Sequence, residues 1–296
     1  MLMSAYAILM VFLCIFFYAC QSMANKSFSI NYRGAPARAT TTFAFLSGVI
    51  CAAANWVYGG FAFSAGLLTW IFGIINGVVL FLFRYAVVNA SRTGPYSFQS
   101  LMSTFGNILF PMFFSVLFWG DGLSLLSIGG IVIMLASFVL FNLKGLSLGG
   151  AGKAYYLWVA LQSFTNGLYG ILLDSQQRIM VQTERNEMII ITFLVSSLIS
   201  LVMLCFTEKG RVSEAFRMGK KPWFFALFSS AAGVIAVNLL MICLGLIPSS
   251  IFYTMENGGV LAVSVLLGAK LFHEKLDAYK IAGLILAVIS LAMLSL

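Results

Sequence analysis

The stretch PYSFQSLMSTFGNILFPMFFSVLFWGDGLSLLSIGGIVIMLASFVLF, residues 95–141, has a second version 153 positions later. That version is PSSIFYTMENGGVLAVSVLLGAKLFHEKLDAYKIAGLILAVISLAML, residues 248–294, and no gap is needed to align the two. The matched pairs are Pro95 with Pro248, Gly106 with Gly259, Asp121 with Glu274, Leu123 with Leu276, Ile128 with Ile281, Gly130 with Gly283 and Ser137 with Ser290. Chance matches are common among apolar residues, but paired Pro, Gly and acidic residues at one offset favour an internal repeat.

The composition predicts an integral membrane protein. Hydrophobic residues make up 61% of the chain and charged residues only 9%, whereas soluble domains carry about 25% charged residues. Segments that cross a membrane must be helices, because backbone polar groups find no water inside lipid. The net charge of +8 does not indicate a nucleic-acid partner, since the basic residues lie in short loops between spans. The expected environment is the lipid bilayer.

Ten segments are apolar enough and long enough to cross a hydrocarbon core about 30 Å thick. They are 2–24, 39–58, 66–89, 94–118, 122–143, 154–174, 187–207, 222–244, 248–272 and 276–295. About five of them fit into one period, and because five is odd, the second copy must enter the membrane with the opposite orientation. The predicted fold is all-α and integral to the membrane, with ten transmembrane helices as two inverted five-helix repeats. The repeats are residues 1–143 and 154–296, joined by a linker at 144–153.

The basic residues predict how the chain is oriented. The loops after the odd-numbered spans, together with the span ends beside them, contain fifteen of the seventeen Lys and Arg residues, and the other loops contain only Arg178 and Arg185. Cytoplasmic loops carry the excess of Lys and Arg. We therefore expect the first set of loops in the cytoplasm and both termini outside it, in a cell (inner) membrane.

Polar residues recur along one face of several predicted spans. The fourth span carries Tyr96, Gln99, Ser100, Ser103 and Asn107; the sixth carries Tyr155, Trp158, Gln162, Thr165, Asn166 and Tyr169; the ninth carries Ser249, Tyr253 and Glu256; and the second carries Cys51, Asn55 and Tyr58. For a single Ser or Thr, a hydrogen bond between helices is the simpler explanation. Stripes at repeat-related positions favour a shared cavity, whose aromatic and amide groups suit a small organic solute.

Glu256 is the one carboxylate well inside a predicted span. It lies about 12 Å along the helix from Pro248, at 1.5 Å per residue, and ionisation there is costly. This position suits proton coupling or the binding of a cationic group. The structural alternative is a protonated carboxyl that donates one hydrogen bond to a neighbouring helix.

Other polar residues have simpler interpretations. We expect Asp174, at the end of the sixth span, to be solvent-exposed, and the long side chain of Arg84 to extend to the interface. His273, the only histidine, is expected to be solvated. The five cysteines form no CxxC pair, so we predict neither a metal site nor a disulfide framework.

The last part of each repeat resembles the drug/metabolite transporter superfamily, in particular its EamA-like ten-span carriers. The likeness rests on FHEKLDAYKIAGLILAVISLAML at 272–294 and on WGDGLSLLSIGGIVIMLASFVL at 119–140. In both, a short acidic turn is followed by a Leu and then by a Gly. The resemblance implies transport of metabolites such as amino acids, sugars, nucleotide derivatives or drugs, and it supplies no substrate-site residue.

The chain departs from that family in two respects. The usual Trp-Gly near the end of the first span is absent from FFYACQSMANK at 16–26. EamA-like carriers are also expected to keep both termini in the cytoplasm, which is opposite to the orientation that the Lys and Arg distribution favours here.

The sequence therefore predicts a secondary-active or facilitative transporter of a small organic metabolite, monomeric or homodimeric, that works by alternating access. No HExxH, GxSxG, Walker A or paired Asp-rich motif occurs, so we expect neither an enzyme nor a cofactor. The alternative is a non-transporting membrane sensor or scaffold, against which the lack of a soluble domain weighs.

Overall fold

The computed structural model describes residues 4–143, 152–179, 184–208, 212–271 and 277–296, and these residues form helices and no strand. The long helices are α1 (Ala5–Asn31), α2 (Pro36–Tyr58), α3 (Leu67–Thr93), α4 (Tyr96–Trp119), α5 (Leu125–Asn142), α6 (Lys153–Ile179), α7 (Arg185–Thr207), α9 (Lys220–Leu244), α10 (Ser249–Leu271) and α11 (Ala278–Ser295). A single turn, α8 (Val212–Ala215), lies between α7 and α9. Each predicted span overlaps one of the long helices.

Nine helices in the described part of the chain are long and apolar enough to cross a membrane. The exception among the long helices is α6, which has 27 residues and is therefore long enough. Its composition is more polar because Gln162, Asn166 and Asp174 interrupt its apolar sequence. The chain is a multi-pass helical membrane protein, and the polar residues that set α6 apart lie among those predicted to form the site.

Successive long helices run in opposite directions, so their termini form two ends of the bundle. We call the end where α1 finishes and α6 begins the basic end, because it carries exposed basic residues such as Arg33, Arg92 and Lys220. The opposite end is where α6 finishes and α7 begins. It carries Asp121 and Glu184.

Helices α5 and α11 are joined by two reciprocal hydrogen bonds. The Ser137 hydroxyl of α5 donates to the Gly283 carbonyl of α11 at 2.7 Å. The Ser290 hydroxyl of α11 donates to the Gly130 carbonyl of α5 at 2.6 Å. Each serine lies 153 positions from the other, and so does each glycine. These four residues are among those that mark the sequence repeat.

Glycines bring α4 and α6 into backbone contact. A Cβ added at Gly106 of α4 would collide with the carbonyl of Ser163 in α6, and one added at Gly167 would lie 2.6 Å from the Gly106 carbonyl. Near the start of both helices, the Tyr155 hydroxyl donates to the Pro95 carbonyl at 2.7 Å. This close approach places the polar stripes of α4 and α6 against each other.

Several features singled out in the sequence lie outside the described residues. They are most of the predicted linker at 144–153, His273, Glu274 and Leu276. The structure therefore describes the acidic turn of the first repeat, at Asp121, but not its counterpart.

Candidate functional site

A cavity of about 560 Å³ lies inside the bundle. Residues from α1, α2, α3, α4, α6, α7 and α9 line it, so both predicted repeats contribute. Its polar and titratable lining includes Tyr18, Gln21, Asn25, Arg84, Gln99, Ser103, Gln162, Asn166 and Tyr169. Apolar side chains cover the rest of the wall, as in sites that bind small organic molecules.

The cavity extends from the basic end to the middle of the bundle. Its lining on α4 begins at Gln99, one turn from the start of that helix, and on α1 it runs from Tyr18 towards the last turn at Ser29. On α6 the deepest lining residue is Tyr169, ten residues before the helix ends. No residue of the final turns of α4 or α6 lines it. The described lining of the cavity therefore does not reach the opposite end of the bundle.

Hydrogen bonds between α4 and α6 organise one wall of the cavity. The Gln99 amide donates to the Gln162 side-chain oxygen at 2.8 Å and to the Val87 carbonyl at 2.9 Å. The Asn166 amide donates to the Ser103 carbonyl at 3.1 Å and to its hydroxyl at 3.2 Å. These bonds fix the amide orientations, so the wall presents defined donors and acceptors.

Twelve of the residues on the four stripes are the predicted substrate-binding residues, and the structure brings some of these together and leaves others apart. Those that line the cavity are Gln99, Ser103, Gln162, Asn166 and Tyr169. Those whose described side chains lie elsewhere are Asn55, Tyr58, Asn107, Trp158, Tyr253 and Glu256. The backbone of Tyr96 begins α4, and its side chain is outside the described part of the structure.

The residues predicted on α2 face different surroundings from the cavity. Asn55 is buried, where its side-chain oxygen accepts from Asn238 at 2.7 Å and its carbonyl accepts from Asn186 at 2.9 Å. Tyr58, the last residue of α2, is 65% exposed. Asn55 therefore connects helices, and Tyr58 faces the outside of the bundle.

Trp158 of α6 packs edge-on against Tyr85, with ring centroids 5.7 Å apart.

Glu256 is 8% exposed and lies in a separate buried group. The Asn257 amide donates to its carboxylate at 2.9 Å, and the Asn107 amide donates to the Asn257 side-chain oxygen at 3.2 Å. On the same helix, the Tyr253 hydroxyl donates to the Gly170 carbonyl of α6 at 3.0 Å. Two predicted residues, Asn107 and Glu256, are thus linked through Asn257, which the sequence analysis missed.

Charged residues cluster at the opposite end of the bundle. The Arg178 guanidinium forms two hydrogen bonds with Asp121, at 3.0 and 2.5 Å, and a third with Asp174 at 3.1 Å. It also lies over the Trp119 ring, 5.5 Å from the centroid. The expectation that Asp174 is solvent-exposed is wrong, since it is 2% exposed. It is buried because α6 continues beyond the predicted end and supplies Arg178 as its partner.

A second contact at the opposite end joins the starts of α3 and α7. The Glu184 carboxylate accepts from the Gly66 backbone amide at 2.8 Å. The polar Thr69 hydroxyl and the hydrogen bond from the Gly66 amide hold the pKa of Glu184 below its usual range, because they favour the charged form. Glu184 is therefore a charged anchor across this end at neutral pH.

Several residues of the cavity wall were not predicted from the sequence. Tyr18, Gln21 and Asn25 follow one another at three- and four-residue spacing on α1, which is a helical stripe. That spacing could have revealed them, but they lie in the last two turns of the predicted first span, 2–24, or just beyond it, where a polar residue is commonly solvated. Arg84 lines the cavity and does not extend to the interface as expected. Within the described residues, no three His, Cys, Asp or Glu side chains are grouped to hold a metal ion.

No protein-family model matches the chain, and no curated protein matches it. A solved crystal structure, described only as that of a protein, is similar along the whole length. The TM-score is 0.71, and the match covers 98% of each chain. The sequence identity is 17%, so the likeness shows a common fold and nothing about function.

Proposed function

We propose that this protein is a secondary-active or facilitative transporter that moves a small organic solute across the cell membrane by alternating access. The observation that carries the proposal is the cavity, which reaches the middle of the bundle from the basic end while Arg178 and its acidic partners close the opposite end. A carrier that exposes one site to one side at a time has this arrangement in each of its end states.

The proposal includes ten spans arranged as two inverted repeats, in which α6 crosses the membrane in addition to the nine apolar helices. The reciprocal bonds of Ser137 and Ser290 support this, because exchanging the two repeats exchanges one bond for the other. The repeat offset of 153 also relates Ser103, on the cavity wall, to Glu256, in the closed half. The two copies of one position therefore occupy different environments in this state.

Exchange of conformations between the repeats would produce the other state. The α10 stripe with Tyr253 and Glu256 would then face a cavity at the opposite end, and the α4 stripe with Ser103 would close. That change requires Arg178 to release Asp121 and Glu184 to release Gly66. The α5–α11 contact can stay as it is, since it is symmetric under the exchange.

Glu256 is the proposed proton-coupling residue. In the described state it is buried against Asn257 and away from the open cavity, so it has no direct access to water at the basic end. In the other state Glu256 would be exposed at the opposite end and could exchange a proton with water on that side. Coupling then follows if protonation must precede closure around the solute, because a neutral carboxyl is less costly to bury than a charged one.

The proposed orientation places the basic end in the cytoplasm and both termini outside, as the Lys and Arg distribution favours. The described state would then be open to the cytoplasm.

A metabolite screen followed by transport measurements tests the function. Purified protein is screened for solutes that raise its melting temperature, and each hit is assayed for counterflow in proteoliposomes. We expect saturable counterflow that Asn166→Leu abolishes and that Ser295→Ala, at the end of α11, leaves unchanged. Hits that bind but show no counterflow in wild-type protein would favour the sensor, and the transporter would be rejected.

A further inference from the structure

Arg84 of α3 contributes a cation to the wall of the central cavity. Its Nη1 donates to the Ala44 carbonyl of α2 at 3.3 Å. This occupies one of the five N–H groups of the guanidinium, and no other hydrogen-bond partner occurs among the described residues. The side chain is only partly accessible, in a wall that is otherwise neutral.

No acidic side chain balances this charge in the described structure. The cavity lining contains no Asp or Glu. Arg84 also borders a neighbouring cavity of about 410 Å³, whose one acidic lining residue, Glu208, is paired with Arg38 through its Nε at 2.7 Å. The other described ion pairs join Arg178 to Asp121 and Asp174 at the opposite end of the bundle.

A cation held away from bulk water is costly unless an anion compensates it. Guanidinium is well suited to a carboxylate because its planar fork matches the two oxygens with parallel hydrogen bonds. The described residues supply no such carboxylate near Arg84, so the compensating group is expected to come from the solute.

We propose that the transported solute carries a single carboxylate, which pairs with Arg84 in the central cavity. This inference rests on the proposed transport function and specifies its substrate class. One cation balances one negative charge, so a monocarboxylate fits better than a dianionic phosphate ester. The amides of Gln21, Asn25 and Asn166 line the same space and would contact the polar groups of the rest of the solute.

The repeat explains why the carboxylate binds in one orientation. The position equivalent to Arg84, 153 residues later, is Val237 of α9, and Val237 lines the same cavity. One wall is therefore cationic where its repeat-related counterpart is apolar. A solute with a charged end and an apolar end would bind with the charged end towards α3.

The experiment compares matched acids and amides on the whole purified protein. Metabolite monocarboxylates are screened by thermal shift at pH 7, with phenylacetate and nicotinate as named probes. Each is paired with its amide, and phenyl phosphate and phenethylamine are included. Dissociation constants of the hits are then measured for wild type, Arg84→Gln, Arg84→Lys and the control Arg33→Gln, which removes an exposed charge at the same end.

We expect carboxylates to stabilise the wild type more than their amides. Arg84→Gln should weaken carboxylate binding by about tenfold to a hundredfold, as for loss of hydrogen bonds to a charged group. Arg84→Lys should lose less, and Arg33→Gln should bind as the wild type does. If Arg84→Gln does not fold, Arg84→Lys and the acid–amide comparison in wild type still decide the question.

Other results would overturn the inference in distinguishable ways. Solutes that are all amines or neutral, and that show counterflow, would reject the carboxylate and leave the transporter in place. Carboxylate binding that is unchanged in Arg84→Gln would reject the role of Arg84. If no solute of any class binds, both the inference and the transport function fail.

Discussion

The stripes on α4 and α10 occupy matching positions in the repeat but differ in their surroundings. Ser103 of α4 lines the open cavity, whereas Glu256 of α10, 153 residues later, is buried beside Asn257. If the repeats are equivalent, this difference belongs to one conformational state and is not a fixed property of the two sequences. The α10 stripe is then the wall of a cavity that forms in the other state.

The first prediction concerns which side of the membrane the open α4 stripe faces. Its outcome is either full labelling or no labelling of one cysteine. A cysteine at the exposed position Ser213, in α8 at the basic end, should be shielded from an impermeant thiol reagent in intact cells, because basic loops stay in the cytoplasm. The five native cysteines are replaced first. Full labelling without permeabilisation would reverse the orientation and make the described state open to the outside.

The second prediction concerns how tightly each stripe is held. Gly106→Val should abolish the monodisperse folded protein, since the new side chain meets the backbone of Ser163 and costs about 3 kcal/mol or more. Gly259→Val, at the equivalent position, meets the side chain of Ile15 and no backbone atom, so it should cost less. Gly122→Val is the control, with open space around it. Size-exclusion profiles and melting temperatures rank the stabilities of the three variants. Equal losses of stability for Gly106→Val and Gly259→Val would contradict the prediction.

The third prediction tests whether the buried stripe carries the coupling proton. Glu256→Gln keeps the size and mimics the neutral form, so it should fold and exchange solute but lose accumulation driven by a pH gradient. One proton per solute supports about tenfold accumulation per pH unit, and the variant should show none. Proteoliposomes with an imposed gradient measure this. Undiminished accumulation would leave Glu256 with a structural role only.

The fourth prediction concerns the equilibrium between the state in which the α4 stripe is open and the state in which the α10 stripe is open. Arg178→Gln removes the ion pairs that close the opposite end, and partly exposed pairs contribute about 0.2–1 kcal/mol. A cysteine at Tyr253 of α10 should then be labelled about twofold to fivefold faster. Arg185→Gln, at the same end, should leave the rate unchanged. A rate that does not respond to Arg178→Gln would mean that this cluster does not restrain the closed half.

The smallest effect is expected at Glu184. Its pKa lies below its usual range because of the polar Thr69 hydroxyl and the hydrogen bond from the Gly66 amide. Its contribution to stability is therefore present at neutral pH and is lost as the pH falls through the lowered pKa. Because Glu184 is exposed to solvent, Glu184→Gln should lower the melting temperature at pH 7 by only about 1 °C. The difference between variant and wild type should shrink in acid. A difference that grows as the pH falls would contradict this sign.

The helical class and the approximate helix positions could be predicted from apolar periodicity, because a membrane leaves the backbone few alternatives. The pairing of Ser137 with Gly283 could not, although both residues mark the repeat. Their contact depends on how the two repeats pack, and the sequence order does not specify that.

The predicted part of the site consists of polar residues that lie deep inside a span or share a helical face with such residues. Gln162 and Asn166 were found because an amide in the middle of an apolar segment is conspicuous, and Gln99 because it lies on one helical face with Ser103 and Asn107. Gln21 and Arg84 lie nearer to helix ends, where a polar residue is commonly solvated. Their orientation depends on neighbouring helices that the sequence does not place.

The low hydropathy of α6 has a consequence for how the chain is made. A helix with so many polar residues partitions poorly into lipid by itself, yet Gln162 and Asn166 find partners on α4 at Gln99 and Ser103. Helix α4 is synthesised before α6 and can already be in the bilayer when α6 is inserted. Insertion of α6 would then depend on its hydrogen bonds to α4. Substitutions at Gln99 or Ser103 would show first as a failure to insert α6 and the helices that follow it.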